Sequence, residues 1–439
     1  GSGGRYIAVV EERQLEQFAN RGYDVLDKIR ALDPSVSLSM SIGIGRGART
    51  LREAQDMAEH ALDMAQGRGG DQAAEMTLDG FTFYGGVSHG VEKRSKVRSR
   101  LVADQLVKLI KEADHVVIMG HRMSDLDAIG AAEGVLRICK ICDVPAVIAV
   151  RRDATLAASL IDALCKAGQK DDFIDPKDAL PIISKRTLCI VVDTYQAGLV
   201  ESKDILEKCG KVAVIDHHRK GVGYIENPAL VCHEPYSSSA SELVTELLQY
   251  VGERDDKPNR VEAEGLLAGI LLDTQDFTLH TGVRTFEAAA ALRRYGAETE
   301  RVRRLFDVTM VEYNAKADLV EKAQMYKNCA ISIGGEVAPE ARVAIAQAAN
   351  DLLRIQGVDA SFVAVQVGNG VNVSARSMGA VNVQVIMESL GGGGHQTMAA
   401  AQLKHITPQA ARSRIQDAID QYYLSQKKTT PEARPAKGE

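Results

Sequence analysis

Apolar runs of strand length alternate with helical patterns through the middle of the chain. The runs are HVVIMG (115–120), PAVIAV (145–150), LCIVVD (188–193) and KVAVID (211–216). Helical spacing covers DAIGAAEGVLRICK (127–140), 154–167, SASELVTELLQYV (239–251) and the nearly all-apolar VEAEGLLAGILLDT (261–274). Buried strands separated by helices are typical of a parallel sheet that is covered on both faces. We therefore predict an α/β domain over residues 105–285.

Two smaller α/β regions flank this domain. Residues 5–75 predict a strand at RYIAVV, a helix from Gln14 to Leu32, a strand at LSMSIGIG and a helix capped by Thr50 and Glu53. Residues 328–425 predict the strand CAISIGG, the helix VAIAQAANDLLRI, the hairpin SFVAVQVGNGVNVSARS and the helix VNVQVIMESL. The remaining segments are interpreted as a connector with a hairpin and a basic stretch (76–104), a helical linker between two lobes (286–327) and a disordered tail (426–439).

Composition narrows the class of protein. The chain has 439 residues, of which 45% are hydrophobic and 26% charged, as in soluble proteins of several domains. A net charge of −6 and the lack of tryptophan argue against a partner that is a long nucleic acid. Seven scattered cysteines are typical of reduced thiols, and Cys139 and Cys142 lack the second pair that a zinc site needs. No apolar run has the length of a membrane span. The opening Gly-Ser-Gly looks like a cloning remnant, so an upstream region is expected.

Polar side chains with metal-binding chemistry follow several of the apolar segments. They are His121, Asp125 and Asp127 after the first strand, Asp193, the tripeptide Asp216-His217-His218, and Asp273 late in an apolar helix. Each one has a structural alternative, such as capping a helix or a turn. Taken together at one edge of a sheet, they favour a centre of two metal ions. Mixed imidazole and carboxylate ligands suit Mn²⁺.

These motifs resemble a known family. HRMSDLDAIGA, VVDT, IDHH and LLDTQDF are similar, in this order, to the four signature motifs of the DHH phosphoesterase superfamily. NVSARS and GGGGH resemble its DHH-associated domain, and SIGIGRG with ALDMAQGRGG resembles the second half of a GGDEF domain without the acidic pair that a cyclase needs. This order of domains resembles the GdpP type of cyclic-di-AMP phosphodiesterases. The resemblance implies an inactive GGDEF remnant and, upstream, two membrane helices and a PAS domain.

The resemblance also implies roles for individual residues. His121, Asp125 and Asp193 hold one Mn²⁺, and Asp127, Asp193, His217 and Asp273 hold the other, with Asp193 bridging. We expect Asp216 to orient His217, and His218 to act as a general acid or a phosphate contact. In the second lobe, Arg376 contacts a phosphate, with Ser374 and Ser377 facing the glycines Gly391, Gly392, Gly393 and Gly394, and with His395 on the same rim. The other histidines considered (His89, His115, His233, His280, His405) are interpreted as surface or core residues.

The expected function is metal-assisted hydrolysis of cyclic-di-AMP to linear pApA. One alternative is a short-oligonucleotide exonuclease or pAp phosphatase of the same superfamily. A second is a non-catalytic receptor for a cyclic dinucleotide, against which the full ligand set argues. Diguanylate cyclase activity is disfavoured by the missing acidic pair. We also expect a homodimer without membrane contact by these residues, placed on the cytoplasmic side, within a full-length protein that is anchored in a membrane.

Overall fold

The computed structural model describes residues 6–30, 32, 38–67, 70–85, 96–218, 223–253, 256–336, 343–394 and 397–429. The chain divides into two compact units, Gly1–Phe306 and Asp307–Glu439. No helix among these described ranges combines the length and the apolar character that crossing a bilayer requires. The boundaries of the predicted domains stay predictions.

The first unit begins with a small three-stranded sheet and three helices. Its elements are α1 (Glu12–Asn20), α2 (Val25–Arg30), β1 (Ile42–Gly45), α3 (Leu51–Gly67), β2 (Gln72–Thr77) and β3 (Gly80–Gly85). β1 pairs with β2 in parallel, and β2 and β3 form an antiparallel hairpin. Thr50 accepts a hydrogen bond from the backbone N–H of Glu53 at 3.1 Å, so the predicted cap of α3 is present.

Two expectations for this region are wrong. The strand predicted at RYIAVV is not formed at residues 6–10, where Tyr6 and Ile7 are 89% and 82% exposed. An apolar run becomes a strand only when a neighbouring strand takes up its hydrogen bonds. The single helix predicted from Gln14 to Leu32 is broken after Asn20, because Gly22 and Tyr23 take the left-handed conformation, with φ of 62° and 55°.

The rest of the first unit is an alternation of helices and strands. Its elements are α4 (Lys96–Glu112), β4 (His115–Met119), α5 (Leu126–Ile141), β5 (Ala146–Ala149), α6 (Ala158–Leu164), β6 (Phe173–Ile174), α7 (Pro176–Ala179), β7 (Thr187–Val192), α8 (Lys203–Lys208), β8 (Lys211–Asp216), β9 (Leu230–His233), α9 (Ala240–Leu248), α10 (Arg260–Thr274), α11 (Val283–Arg294) and α12 (Thr299–Arg304). The helix predicted at 154–167 begins only at Ala158, and a π-helical turn, Cys165–Gln169, follows α6.

The six strands β4–β9 form one sheet in the order β6-β5-β4-β7-β8-β9, and all their pairings are parallel. Every residue of β7 is buried. Leu188, Ile190 and Val192 pack into the hydrophobic core on one face, and Cys189 and Val191 pack into the core on the other. This alternation explains the unbroken apolar run, and the predicted α/β class with a parallel sheet is confirmed.

Helices α5 and α10 pack against each other through glycines. A Cβ atom on Gly130 would lie 2.5 Å from the backbone oxygen of Gly265. A Cβ atom on Gly269 would lie 2.6 Å from Oδ1 of Asp127. Only glycine allows backbones to approach this closely, so these positions bring α10 against the start of α5.

The second unit has its own mixed sheet. Its elements are α13 (Met310–Glu321), β10 (Gln324–Tyr326), β11 (Cys329–Glu336), α14 (Val343–Leu352), β12 (Ala360–Val367), β13 (Gly370–Ser377), α15 (Val383–Ser389), β14 (Gly393–Gly394), β15 (Met398–Lys404) and α16 (Pro408–Thr429). The strand order is β10-β11-β12-β13-β15-β14. β12 and β13 form the predicted hairpin. Helix α16 reaches into the segment that was expected to be disordered, and residues 430–439 lie outside the described part.

One acidic residue of the first unit, Glu133, is buried without hydrogen bonds to its carboxylate from the described residues. Glu133 of α5 has no exposed surface, and neither carboxylate oxygen has a hydrogen-bond partner among the described residues. Burial, and after it the charge of Glu262, raises the pKa of Glu133 to about 8. In the unfolded chain, Glu133 has the ordinary, lower pKa of an exposed carboxyl group. The folded state therefore binds the proton more tightly than the unfolded state does.

We predict that Glu133→Gln changes the pH dependence of stability. The folded protein loses stability as the pH rises towards 8 because Glu133 must then ionise inside the core. The variant avoids this cost, so its stability relative to the unsubstituted protein should rise by up to about 1.4 kcal/mol per pH unit between pH 5 and 8. Calorimetric unfolding at pH 5, 7 and 9 measures the difference, with Glu300→Gln on the surface as a matched control. A difference that does not change with pH would contradict the prediction.

Candidate metal centre

The carboxyl edge of the parallel sheet collects the predicted polar residues. His121 follows β4, Asp193 follows β7, and the tripeptide Asp216-His217-His218 begins at the last residue of β8. Asp125 and Asp127 lie at the start of α5, and Asp273 lies in the last turn of α10. Parallel strands end at a common edge, and the α5–α10 contact adds the two helix ends to it.

Asp193 lies at the middle of this cluster. It has a left-handed backbone with φ of 58°, is 3% exposed, and donates its N–H to the carbonyl of Ile215 at 2.9 Å. Its Oδ2 lies 3.5 Å from Nε2 of His121, and its Oδ1 lies 3.4 Å from Nε2 of His217. The two oxygens of one carboxylate therefore face two different histidines. A left-handed conformation outside glycine is uncommon and often marks a functional position.

One group of possible ligands is His121, Asp125 and Asp193, whose ligand atoms lie within 4.8 Å of one another. Nε2 of His121 is 3.8 Å from Oδ2 of Asp125. The other oxygen of Asp125 accepts hydrogen bonds from the backbone N–H groups of Asp127 and Ala128 and caps α5. The hydroxyl of Ser124 donates to the carbonyl of His121 and does not cap the helix.

A second group of possible ligands is Asp127, His217 and Asp273, again within 4.8 Å. Nε2 of His217 lies 3.0 Å from Oδ2 of Asp273 and 4.0 Å from Oδ2 of Asp127. Nδ1 of His217 lies 3.3 Å from the carbonyl of Ser237. Because a carbonyl oxygen can only accept, this contact places the proton on Nδ1 and turns Nε2 towards the carboxylates.

The sequence did not indicate what holds Asp127. Both of its oxygens accept backbone N–H groups from the start of α9, Oδ2 from Ala240 at 2.7 Å and Oδ1 from Ser241 at 2.8 Å. Helix N-termini favour a negative charge, so α9 fixes a carboxylate that is otherwise buried. Ser239 caps α9 by accepting the backbone N–H of Glu242 at 2.9 Å. The side chain of Glu242 bonds Ser237 and Ser238.

Asp216 is directed at the wrong histidine for its predicted role. Its Oδ1 lies 2.8 Å from Nδ1 of His218, whereas His217 is oriented by Ser237. Nδ1 of His218 also lies 3.6 Å from Asp193. The expectation that Asp216 orients His217 is therefore wrong, and Asp216 fixes the ring of His218 instead.

The charges in this pocket oppose one another strongly. Burial, together with the charges of Asp193 and Asp273, raises the pKa of Asp127. Burial alone would also raise the pKa of Asp193, but the neighbouring imidazoles of His121 and His217 lower it. Burial lowers the pKa of His121, and the two carboxylates beside it reverse this and raise the pKa to about 12. The carboxylates of this pocket thus favour positive charge on the groups beside them.

The donor set fits divalent cations. Oδ1 of Asp193 and Nε2 of His217 are buried and have no hydrogen-bond partner of good geometry among the described residues. Buried polar atoms without a partner are costly, and a cation between them would satisfy both. Imidazole nitrogens with carboxylate oxygens are ligands that Mn²⁺ accepts.

The second unit places only part of its predicted set together. Nη1 of Arg376 donates to the hydroxyl of Ser374 at 3.1 Å and to the carbonyl of Ala375 at 2.9 Å. Ser377 is buried, and its hydroxyl accepts the N–H groups of Gly379 and Val381. Successive residues of β13 point to opposite faces, so the expectation that Ser377 shares a face with Arg376 is wrong.

The glycine run is explained by close packing of backbones. A Cβ atom on Gly392 would lie 2.2 Å from the carbonyl oxygen of Ala400, and one on Gly394 would lie 2.4 Å from that of Met398. Gly391 forms a turn with φ of 79°, and Gly393 has no atom near its missing side chain. His395 lies outside the described residues.

Three family models match the chain, in the same order as the predicted domains. Residues 2–79 match the model of the GGDEF domain of cyclic-di-AMP phosphodiesterase GdpP-like proteins, and residues 115–270 match the N-terminal domain of the DHH family. Residues 338–424 match the DHHA1 domain. The chain thus contains a GdpP-like GGDEF domain, a DHH domain and a DHHA1 domain, in this order. The resemblance inferred from the motifs is confirmed.

Two relatives of this chain are named cyclic-di-AMP phosphodiesterase GdpP. The protein of Geobacillus thermodenitrificans is 44% identical over 430 residues and that of Bacillus subtilis 42% identical over 431. These alignments cover 96% and 95% of the chain. The chain spans 65% of the length of each relative. An exopolyphosphatase-related protein from Bacteroides fragilis has a similar fold, with a TM-score of 0.64 at 19% identity, over 75% of this chain and 98% of that one.

We predict that Asp193→Asn abolishes tight Mn²⁺ binding by this protein, because the carboxylate of Asp193 faces both ligand groups. Substituting a residue that only orients a metal ligand lowers the metal affinity by about 10- to 100-fold, and the loss in Asp193→Asn should be larger. Calorimetric titration with Mn²⁺ measures it, and Asp204→Asn, an exposed carboxylate of α8, is the matched control. Unchanged affinity in Asp193→Asn would show that Asp193 is not a ligand.

Proposed function

We propose that this protein is a metal-dependent phosphodiesterase that hydrolyses cyclic-di-AMP to linear pApA. The observation that carries the proposal is the arrangement of two ligand groups on either side of one carboxylate, Asp193. A pair of cations that shares a bridging carboxylate is suited to displacement at phosphorus. The names of the GdpP relatives support the choice of substrate.

The ligands divide between two Mn²⁺ ions as the motifs imply. His121, Asp125 and Asp193 would hold one ion, and Asp127, Asp193, His217 and Asp273 would hold the other. Bound in this way, the ions would supply a nucleophile from water at neutral pH and neutralise charge on the phosphate. The chain itself keeps the ligands in place, through the α9 amides at Asp127 and the Ser237 carbonyl at His217.

His218 is assigned to proton transfer or to a phosphate contact. Asp216 and Asp193 lie on its Nδ1 side, and we assign the contact with the substrate to Nε2 on the other side of the ring. The side chain is 36% exposed, against 14% for His217. A proton given from Nε2 to the departing 3′ oxygen would complete ring opening.

Arg376 is assigned to the second phosphate of the dinucleotide. Its Nε is buried without a hydrogen-bond partner, and no carboxylate pairs with it in the described part of the chain. Burial lowers the pKa of this guanidinium to about 10, which is the sign of a desolvated cation. An anion would supply the missing partner. The glycines of β14 and the turn before it, with His395, complete the proposed substrate set. Homodimer formation and membrane anchoring of the full-length protein are part of the same proposal.

The proposal is tested with a panel of substrates. In Mn²⁺, the protein should hydrolyse cyclic-di-AMP faster than cyclic-di-GMP, pApA or pAp, and EDTA should abolish turnover. Asp193→Ala is the inactive control, and ion-exchange chromatography identifies pApA. Faster cleavage of pApA or pAp would favour the exonuclease or phosphatase alternative. Tight binding without turnover would favour a receptor.

We also predict that Arg376→Met raises KM for cyclic-di-AMP. Loss of hydrogen bonds to a charged phosphate should raise KM by about 10- to 100-fold. The affinity for Mn²⁺ should not change, since the metal ligands all belong to the first unit. Arg354→Met, an exposed arginine of the same unit, is the matched control. An unchanged KM would remove Arg376 from the substrate site.

A further inference from the structure

The DHH tripeptide is held on its outer side by the end of β9. β8 and β9 are parallel, and their register places Asp216 beside His233. The N–H of Glu234 donates to the carbonyl of Asp216 at 3.1 Å. Nε2 of His233 lies 2.5 Å from the carbonyl of His218. His233, the last residue of β9, and Glu234, which follows it, therefore bind the backbone carbonyls of His218 and Asp216, at the two ends of the tripeptide.

The chemistry of the second contact defines its direction. A backbone carbonyl can only accept, so Nε2 of His233 carries the proton and donates it. The ring of His233 packs edge-on against Tyr195, with centroids 5.6 Å apart, and Tyr195 is 4% exposed. The imidazole is therefore fixed between a buried aromatic ring and the peptide that it binds.

The strand end has a second anchor that does not involve His233. The carboxylate of Glu234 lies 2.8 Å from Nη1 of Arg284 and 3.6 Å from Nε of Arg98. Arg284 is itself buried and bonds Glu246 of α9. These ion pairs hold β9 against the helices, so the loss of the His233 hydrogen bond should leave the strand in place.

We propose that His233 is a positioning residue that fixes the His218 peptide and thereby the ring of His218 over the reaction site. This inference rests on the proposed phosphodiesterase function. The hydrogen bond joins two residues that are 15 positions apart in the sequence. It prevents rotation of the peptide group at His218, the residue to which proton transfer is assigned. A displacement of about 1 Å in a reacting group can lower a rate by about 100-fold.

The test compares two substitutions of His233. His233→Leu keeps apolar bulk against Tyr195 and removes the donor. His233→Gln keeps an N–H group at nearly the position of Nε2. His233→Leu should lower kcat for cyclic-di-AMP by about 10- to 100-fold with KM within about threefold. His233→Gln should keep kcat within about threefold of the unsubstituted protein. His60→Leu, on the exposed face of α3, is the control.

A spectroscopic measurement separates the inference from the proposed function. In metal-free protein labelled with ¹⁵N-histidine, the imidazole resonances of His218 should shift in His233→Leu and keep their positions in His233→Gln. Calorimetric unfolding should show similar midpoints for both variants. If the unsubstituted protein does not turn over cyclic-di-AMP, the proposed function fails, and the spectra still decide the role of His233.

Three outcomes would overturn the inference. A kcat of His233→Leu equal to that of the unsubstituted protein would show that the hydrogen bond does not affect catalysis. Equal losses of kcat in both variants, accompanied by equal falls in unfolding temperature, would assign His233 a structural role only. Unchanged His218 resonances in His233→Leu would show that the peptide is held by other contacts.

Discussion

The arrangement of the site depends on one buried carboxylate. Asp193 ends a strand with no exposed residue and turns into the left-handed conformation, so its two oxygens point to histidines from different segments. A carboxylate in such surroundings is tolerated only with compensating positive charge. Neighbouring imidazoles supply part of this charge, and divalent cations would supply the rest. The rest of the site keeps positively charged groups within a few ångströms of the Asp193 carboxylate.

The supports of the cluster are mostly backbone groups. The start of α9 offers two N–H groups to Asp127, the Ser237 carbonyl orients His217, and the His218 carbonyl receives His233. Backbone groups on packed elements have little freedom, so they position ligands more firmly than long side chains would. Glycines at 130 and 269 allow α10 to approach α5, and α10 thereby carries Asp273 to the same place. Packing in the core therefore determines the geometry of the site.

The two units divide the chemistry between them. The first unit collects carboxylates and imidazoles, and it suits cations that act on a phosphodiester. The second unit presents Arg376, a half-buried cation with a buried and unsatisfied Nε, beside a strand in which glycines are required by the close approach of β15. The two GdpP relatives are named for cyclic-di-AMP, and the chain spans 65% of their length.

The sequence by itself determined the class of fold and most of the candidate ligands. Unbroken apolar runs have one explanation, burial on both faces, and the parallel sheet follows from it. His121, Asp193 and the tripeptide at 216–218 were visible because each directly follows such a run. Only the tertiary structure decided the partners. Asp216 meets His218 rather than His217, Ser377 turns away from Arg376, and the run at 6–10 forms no strand. His233, which no motif contains, reaches the site through the pairing of β8 with β9. These contacts depend on register and on the direction of side chains, and residues far apart in the chain set both. Local patterns of polarity therefore carry no information about them.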